Sequence, residues 1–463
     1  MSRTVTFPDG FLWGAATSAF QVEGGADLDG RGPSIWDTFC ATPGRVRGGD
    51  DGRVAIDHRH RMAADVQLMA DLGLPAYRFS VAWPRVQPDG RGRISQAGLD
   101  FYRSLVEELL AVGIEPIATL YHWDLPQALE DAGGWPARDT ASRFADYAHV
   151  VGEALGGLVR RWGTINEPWC AAMLGYAAGV HAPGRVAPGA AVAAAHHLLL
   201  GHGLAVDALR ASVRGDAEIS LTLNPYPVVT PGRTDADRDA VRRVDGVANR
   251  LWYDAVLRGR YPDDVLADLE AVSDLSHVRD GDLAVISRPI DALGLNYYRR
   301  HHVRARPEAS VGHQVGQWPG SPDVELLEPS GPTTDGGWAI EPEGLTEALV
   351  RLHQDYHPPP LHLHEVGAAF DDEVGPHGEI DDRRRIAWLE AHVEAAAEAI
   401  EEGVDLRGLM VWSLFDNFEW AEGYAHRFGI VHVDRGSMER TPKASAHWLS
   451  GVIRANGLPP VGD

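Results

Sequence analysis

The sequence has very little lysine, very little cysteine and no long apolar or low-complexity stretch. Lys443 is the only lysine among 42 basic residues. So strong a preference for arginine reads as genomic composition bias rather than chemistry. Two cysteines, Cys40 and Cys170, are too few for a disulfide framework, and their spacing fits no metal site. A reducing, cytoplasmic location is expected from that usage. The first residues, Met1-Ser2-Arg3-Thr4-Val5-Thr6-Phe7-Pro8, lack the apolar core of a signal peptide. No apolar run is expected to be long enough to span a membrane. No Pro/Ser/Gly-rich stretch or charge block marks a linker. Positive charge is scarce too: the formal net charge is −24 and the pI is near 5.2. Nucleic acid and anionic membranes are therefore not expected partners.

What is present is a large apolar content, 44% of 463 residues, and 14 tryptophans, several of them in candidate site segments. Eight strand-like runs recur along the chain: Phe11–Gln21, Ala76–Trp83, Glu115–Trp123, Arg161–Pro168, Glu218–Asn224, Asp291–Tyr298, Pro360–Gly367 and Leu406–Asp416. Between them lie amphipathic stretches with helical spacing, such as Asp57–Asp71, Leu99–Val112 and Asp381–Glu402. Strands alternating with helices imply a parallel sheet, and eight such units imply closure. The expected fold is α/β: a single (β/α)8 TIM barrel with long βα-loop insertions, spanning 1–463 as one catalytic domain. The longest insertions are expected after the sixth strand, at 299–335, and after the fifth. Asp57-His58-Arg59-His60-Arg61 is expected to cap and brace a helix start.

Polar residues gather at the trailing ends of these strands: Gln21, His122, Asp124, Asn166, Glu167, Asn296, Tyr298, Glu365 and the run from Trp412 to Asp416. Active sites of such barrels lie at the C-terminal ends of the strands. Two of these residues are glutamates ending apolar runs, Glu167 in Thr164-Ile165-Asn166-Glu167-Pro168 and Glu365 in Leu361-His362-Leu363-His364-Glu365. Burying a carboxylate is costly and hard to explain as packing. Two facing carboxylates are what retaining glycoside hydrolysis needs, one as acid/base and one as nucleophile. His362 and His364 share a strand face. They read as hydrogen-bonded barrel histidines in preference to half of a metal site, because no third ligand is evident.

These residues resemble a known family over essentially the whole length. Phe11-Leu12-Trp13-Gly14-Ala15-Ala16-Thr17-Ser18-Ala19-Phe20-Gln21, Tyr77-Arg78-Phe79-Ser80, Leu120-Tyr121-His122-Trp123-Asp124-Leu125-Pro126, Asn166-Glu167-Pro168, Gly294-Leu295-Asn296-Tyr297-Tyr298 and Trp412-Ser413-Leu414-Phe415-Asp416-Asn417-Phe418-Glu419-Trp420 are similar to the family 1 glycoside hydrolases, bacterial β-glucosidases in particular. Asn-Glu-Pro alone is weak; the ordered ensemble is specific. The resemblance implies a retaining exo-β-glycosidase that removes a non-reducing terminal β-D-glucosyl residue from glucosides and short oligosaccharides. It makes Glu167 the acid/base and Glu365 the nucleophile. Arg78, Asn296 and Tyr298 join the catalytic set, with Arg78 and Tyr298 holding the nucleophile. Gln21, His122, Asn166, Glu419 and Trp420 resemble the sugar-binding set, Asn166 on the 2-OH. Trp412 resembles the floor under the sugar ring, and Trp169 and Trp338 line the aglycone side. No cofactor and no metal are implied, and homo-oligomer formation is left open. Glu419 would repel a phosphorylated sugar, so an unphosphorylated glycone is expected: glucose, or galactose or fucose.

The chain departs from the family pattern beside the nucleophile, where His364 replaces Thr and Val366 replaces Asn. A lost amide leaves its partner unpaired at about 1–3 kcal/mol. This keeps an alternative open: a catalytically weakened or redirected sugar-binding relative. Arg299 is a second departure, since a small hydroxyl residue is usual there; it is expected to reach toward the aglycone mouth.

Overall fold

The computed structural model describes residues 5–306 and 316–458. Residues 1–4, at the start of the N-terminal segment, and part of the expected 299–335 insertion thus lie outside the described residues. Eight parallel strands close into a barrel. In chain order they are β1 (Leu12–Ala16), β2 (Ala76–Ser80), β3 (Glu115–Tyr121), β4 (Arg161–Asn166), β5 (Glu218–Leu223), β6 (Ala292–Tyr297), β7 (Leu361–Val366) and β8 (Leu406–Trp412). Each pairs with its sequence neighbours, and β8 closes on β1. Side chains fill the inside while helices cover the outside, so nearly every strand residue is buried. This is why the strands read as continuous apolar runs.

The first run was expected to extend to Gln21, but β1 stops at Ala16. Ser18 then introduces the short helix Ala19–Val22, which carries Gln21. Thr17 in the gap and Ala19 at the helix start reach across to β2: the Thr17 amide donates to the Arg78 carbonyl at 2.9 Å, and the Ala19 amide to Ser80 Oγ at 2.7 Å. The expected bracing at Asp57 is present, but the cap is not. Asp57 has φ 58° and no side-chain bond to a helix amide; its carboxylate instead takes His60 Nδ1 at 2.6 Å.

The helix Pro188–Ser212 corrects the expectation about apolar runs. Its 25 residues are long and apolar enough to cross a membrane by length and composition alone. It is largely buried, packed against the helix Asp139–Leu155 and strands β4 and β5. A helix apolar on all sides is what a position between the barrel and a second helix layer requires.

Lys443 also needs a second reading. It is fully buried, and its ammonium donates to Asp372 Oδ2 at 2.6 Å and Asp416 Oδ1 at 2.8 Å. Asp372 in turn holds Arg385 at 2.8 Å, and Asp416 holds His432 at 3.1 Å. The single lysine is therefore the centre of an ion cluster that ties down the segment after β8.

Candidate active site

A cavity of about 320 Å³ opens at the C-terminal mouth of the barrel. Glu167, Glu365 and Glu419 line it together with His122, Trp169, Tyr298, Trp338, Trp412 and Trp420. Arg78, Asn166, Asn296 and Gln21 stand buried behind this wall. Asp124 is not in this group. It faces a separate small cavity beside Glu23, Arg31 and Arg85, and burial pushes its carboxyl up to about 7.

Glu365 is placed by neighbours from other strands. Arg78 Nη1 on β2 donates to Oε1 at 2.8 Å, and the Tyr298 hydroxyl, just past β6, donates to Oε2 at 2.7 Å. The β6–β7 register slips between Leu363 and Glu365, so that Glu365 pairs with Asn296. The two departures from the family pattern are absorbed around this slip. His364 Nδ1 bonds Thr222 Oγ1 at 2.8 Å. Its imidazole fits because residue 294 is glycine; a Cβ there would collide with the ring. Val366, buried at 1% exposure, pairs with Tyr297 and Val411 in the apolar core. Strand alternation sends it to the face opposite Glu365. His362 lies near Glu218 at 3.7 Å, and its ring centre is 6.1 Å from that of His364. Among the described residues no group of three His, Cys, Asp or Glu could hold a metal ion.

Glu167 follows β4 with φ 46°, in the left-handed region that side chains avoid at a cost of about 1–2 kcal/mol. That turn aims the carboxyl into the cavity. Asn296 Nδ2 donates to Oε1 at 2.8 Å, and Cys170 Sγ to Oε2 at 3.0 Å. Cys170, counted from sequence only as an isolated thiol, is thus a site residue; its i+3 position from Glu167 at the start of a helical turn was the available signal. Trp123, φ 74°, and Trp420, φ 50°, share the backbone strain.

The electrostatics separate the two carboxyl groups. Burial pushes Glu167 up to about 8, and repulsion by Glu365 adds to it. Burial raises Glu365 as well, but the Arg78 guanidinium opposes the rise. Of the coupled pair, Glu365 therefore gives up its proton first and Glu167 keeps its own. Burial and the other two glutamates also push Glu419 up to about 8.

One guanidinium also fixes the polarity of the wall. Arg78 Nη2 donates to Asn166 Oδ1 at 2.6 Å, so Asn166 Nδ2 must donate to His122 Nε2, 3.2 Å away. His122 is neutral because burial, then Arg78, holds its pKa well down. Its proton is therefore on Nδ1, which has no partner. That leaves a buried N–H donor at the cavity wall beside Trp412, whose ring centre is 5.6 Å from the imidazole. Gln21 Nε2 donates to the Phe418 carbonyl at 2.7 Å and to Glu419 Oε2 at 3.4 Å. Trp420 packs on Trp123 with ring centres 4.6 Å apart, and Trp123 Nε1 donates to the Asn166 carbonyl at 2.9 Å. Trp169 stands across the site beside Tyr226, at 5.4 Å, and Trp338 beside Tyr298, at 5.5 Å.

A TIM barrel whose mouth holds one carboxyl group against an arginine and a second raised to about 8 by burial fits the class of glycoside-cleaving barrels. The chain belongs to glycosyl hydrolase family 1, whose model matches residues 3–458. It is 50% identical over 458 residues to thermostable beta-glucosidase B of Thermobispora bispora, covering 98% of this chain and 92% of that protein. It is 48% identical over 460 residues to a bifunctional beta-D-glucosidase/beta-D-fucosidase of Bifidobacterium breve, covering 97% and 98%. Among solved structures, a family 1 β-glucosidase from Thermotoga maritima superposes with a TM-score of 0.93 at 43% identity, over 99% of this chain and 100% of the other. The same enzyme has been solved with glucoimidazole bound, with a TM-score of 0.92 over 98% of this chain and 100% of the other.

Proposed function

We propose that this family 1 enzyme is a retaining exo-β-glucosidase acting on the non-reducing terminal β-D-glucosyl residue of glucosides and short oligosaccharides. The observation that carries this reading is the asymmetric carboxyl pair: Glu365 held by Arg78 and Tyr298, Glu167 held by neutral donors and raised to about 8. Glu167 donates its proton to the glycosidic oxygen as the bond to the anomeric carbon breaks. Glu365 attacks that carbon from the opposite face and forms a glycosyl-enzyme. Glu167, now a carboxylate, takes a proton from water, which displaces Glu365 and restores both groups. Asn166 bonds the sugar 2-OH, and His122 Nδ1–H, Gln21 and Glu419 take the remaining hydroxyls. Trp412 and Trp420 carry the ring's apolar face, while Trp169 and Trp338 flank the aglycone. Glucosidase and fucosidase activities are both named for the Bifidobacterium breve relative, which supports a glycone range that includes fucose.

The weakened-relative alternative loses its ground, because His364 and Val366 leave the bonds to Glu365 in place. We also take 1–463 as one catalytic domain. A main apolar cluster with members from Val5 to Leu458, beside a small second one inside the same barrel, supports this. Two unpaired cysteines support a cytoplasmic location. Hydrolysis of 4-nitrophenyl β-D-glucoside tests the function. Wild type is expected to turn over with the β-configuration kept in the first product. Glu167→Gln and Glu365→Gly are each expected to lose most activity; substantial turnover by either variant would sink the role assignment.

A further inference from the structure

The deeply placed arginines of this protein hold carboxylates. Arg78 holds Glu365, Arg85 holds Glu23, Arg385 holds Asp372 and Arg440 holds Asp65, each within 3 Å by nitrogen-to-oxygen distance. Arg299 is different. It lines the catalytic cavity, yet among the described residues it makes no hydrogen bond and no ion pair. Its guanidinium carbon lies 4.9 Å from the centre of the Trp338 ring. Burial holds it below its usual pKa, and among the described residues Tyr226, then the exposed Glu328, oppose this without an ion pair. A partly desolvated guanidinium has lost hydration without gaining a counter-ion, and that cost is recovered when an anion arrives.

Its place in the cavity is defined by two aromatic groups flanking the carboxyl pair. His122, Trp412 and Trp420 pack together on one side. Trp169, Tyr226 and His301 pack on the other, where burial, then the charge of Arg299, lowers the pKa of His301. The first group takes the sugar in the glucosidase reading, on which this inference rests, so Arg299 belongs to the leaving-group half.

We propose that Arg299 selects aglycones that carry a carboxylate, the apolar part of the aglycone lying on Trp338 and the carboxylate on the guanidinium. The planar fork of arginine suits a two-point contact with a carboxylate.

The test compares 4-carboxyphenyl β-D-glucoside with its methyl ester, by kcat/KM, in wild type, Arg299→Met and Arg299→Gln. The acid-to-ester ratio cancels effects common to both substrates. That ratio is expected to fall about tenfold or more in both variants, as removal of a charged hydrogen bond should cause. The wild-type ratio is expected to fall with added salt. The same ratio in wild type and in whichever variant folds would overturn the inference while leaving the glucosidase reading intact. No turnover of the neutral ester or of 4-nitrophenyl β-D-glucoside by wild type would overturn both.

Discussion

Replacing Arg78 by methionine tests the electrostatic reasoning most directly. Arg78 is 1% exposed and donates at 2.8 Å to Glu365 and at 2.6 Å to Asn166. Removing one partner of a buried ion pair costs about 3–5 kcal/mol when the other charge remains. Glu365 can escape much of that cost by keeping its proton. At about 1.4 kcal/mol per pH unit, a loss of about 3 kcal/mol moves its titration up by roughly two units. The acid limb of the kcat/KM profile reports Glu365 in the free enzyme, so it should rise by about two units. At pH well below the wild-type acid limb, kcat/KM on 4-nitrophenyl β-D-glucoside should fall by roughly 10²-fold from this shift alone, and by less above that limb. Raising the pH should then recover part of the loss, up to the limb set by Glu167 near 8. Partial recovery separates lost charge support from a disordered site, which no pH would restore. An Arg78→Met enzyme with an unmoved acid limb and a rate within threefold of wild type would refute the reasoning.

Glu167 must be protonated for the first step, so wild-type kcat/KM is expected to decline as pH rises through about 8; a plateau continuing to pH 10 would contradict its role as acid. The Cys170 hydrogen bond lowers the pKa of Glu167, so Cys170→Ala should move that alkaline limb to higher pH, with the acid limb unchanged. Lys443→Met leaves Asp372 and Asp416 buried without their shared cation. It should lose about 3–5 kcal/mol in urea unfolding, and a loss below about 1 kcal/mol would show that Arg385 and His432 suffice.

The barrel was legible because closure buries both faces of every strand. The sequence then shows eight apolar runs, most of them with polar residues at the trailing end, and β2 to β8 begin within a residue of the expected starts. The overrun at β1 has a local cause: Ala19 to Val22 continue the apolar character, but on a helix that turns Gln21 toward Phe418 and Glu419. Length and composition likewise could not tell that Pro188–Ser212 is covered by a second helix. Lys443 was opaque for the same reason, since nothing near it in sequence announces Asp372 and Asp416.

Within the site, the legible residues are those whose chemistry is costly to bury. The illegible ones act through partners distant in sequence. Thr222 has no local signature, yet it reaches His364 over the intervening β6 and lies 3.5 Å from Arg78. Backbone strain at Trp123, Glu167 and Trp420 cannot be read from side-chain pattern at all. The sharpest case is the strand that carries Glu365. Its neighbours in sequence, His364 and Val366, suggested a damaged site. The residues that orient Glu365 come from β2 and the end of β6, so substitutions on its own strand change packing while its charge support stays. Sequence neighbours of a barrel carboxylate mostly fill the core, and its spatial neighbours set its chemistry. A replacement of Arg78 or Tyr298 themselves would therefore have weighed more against catalysis than the two departures beside Glu365.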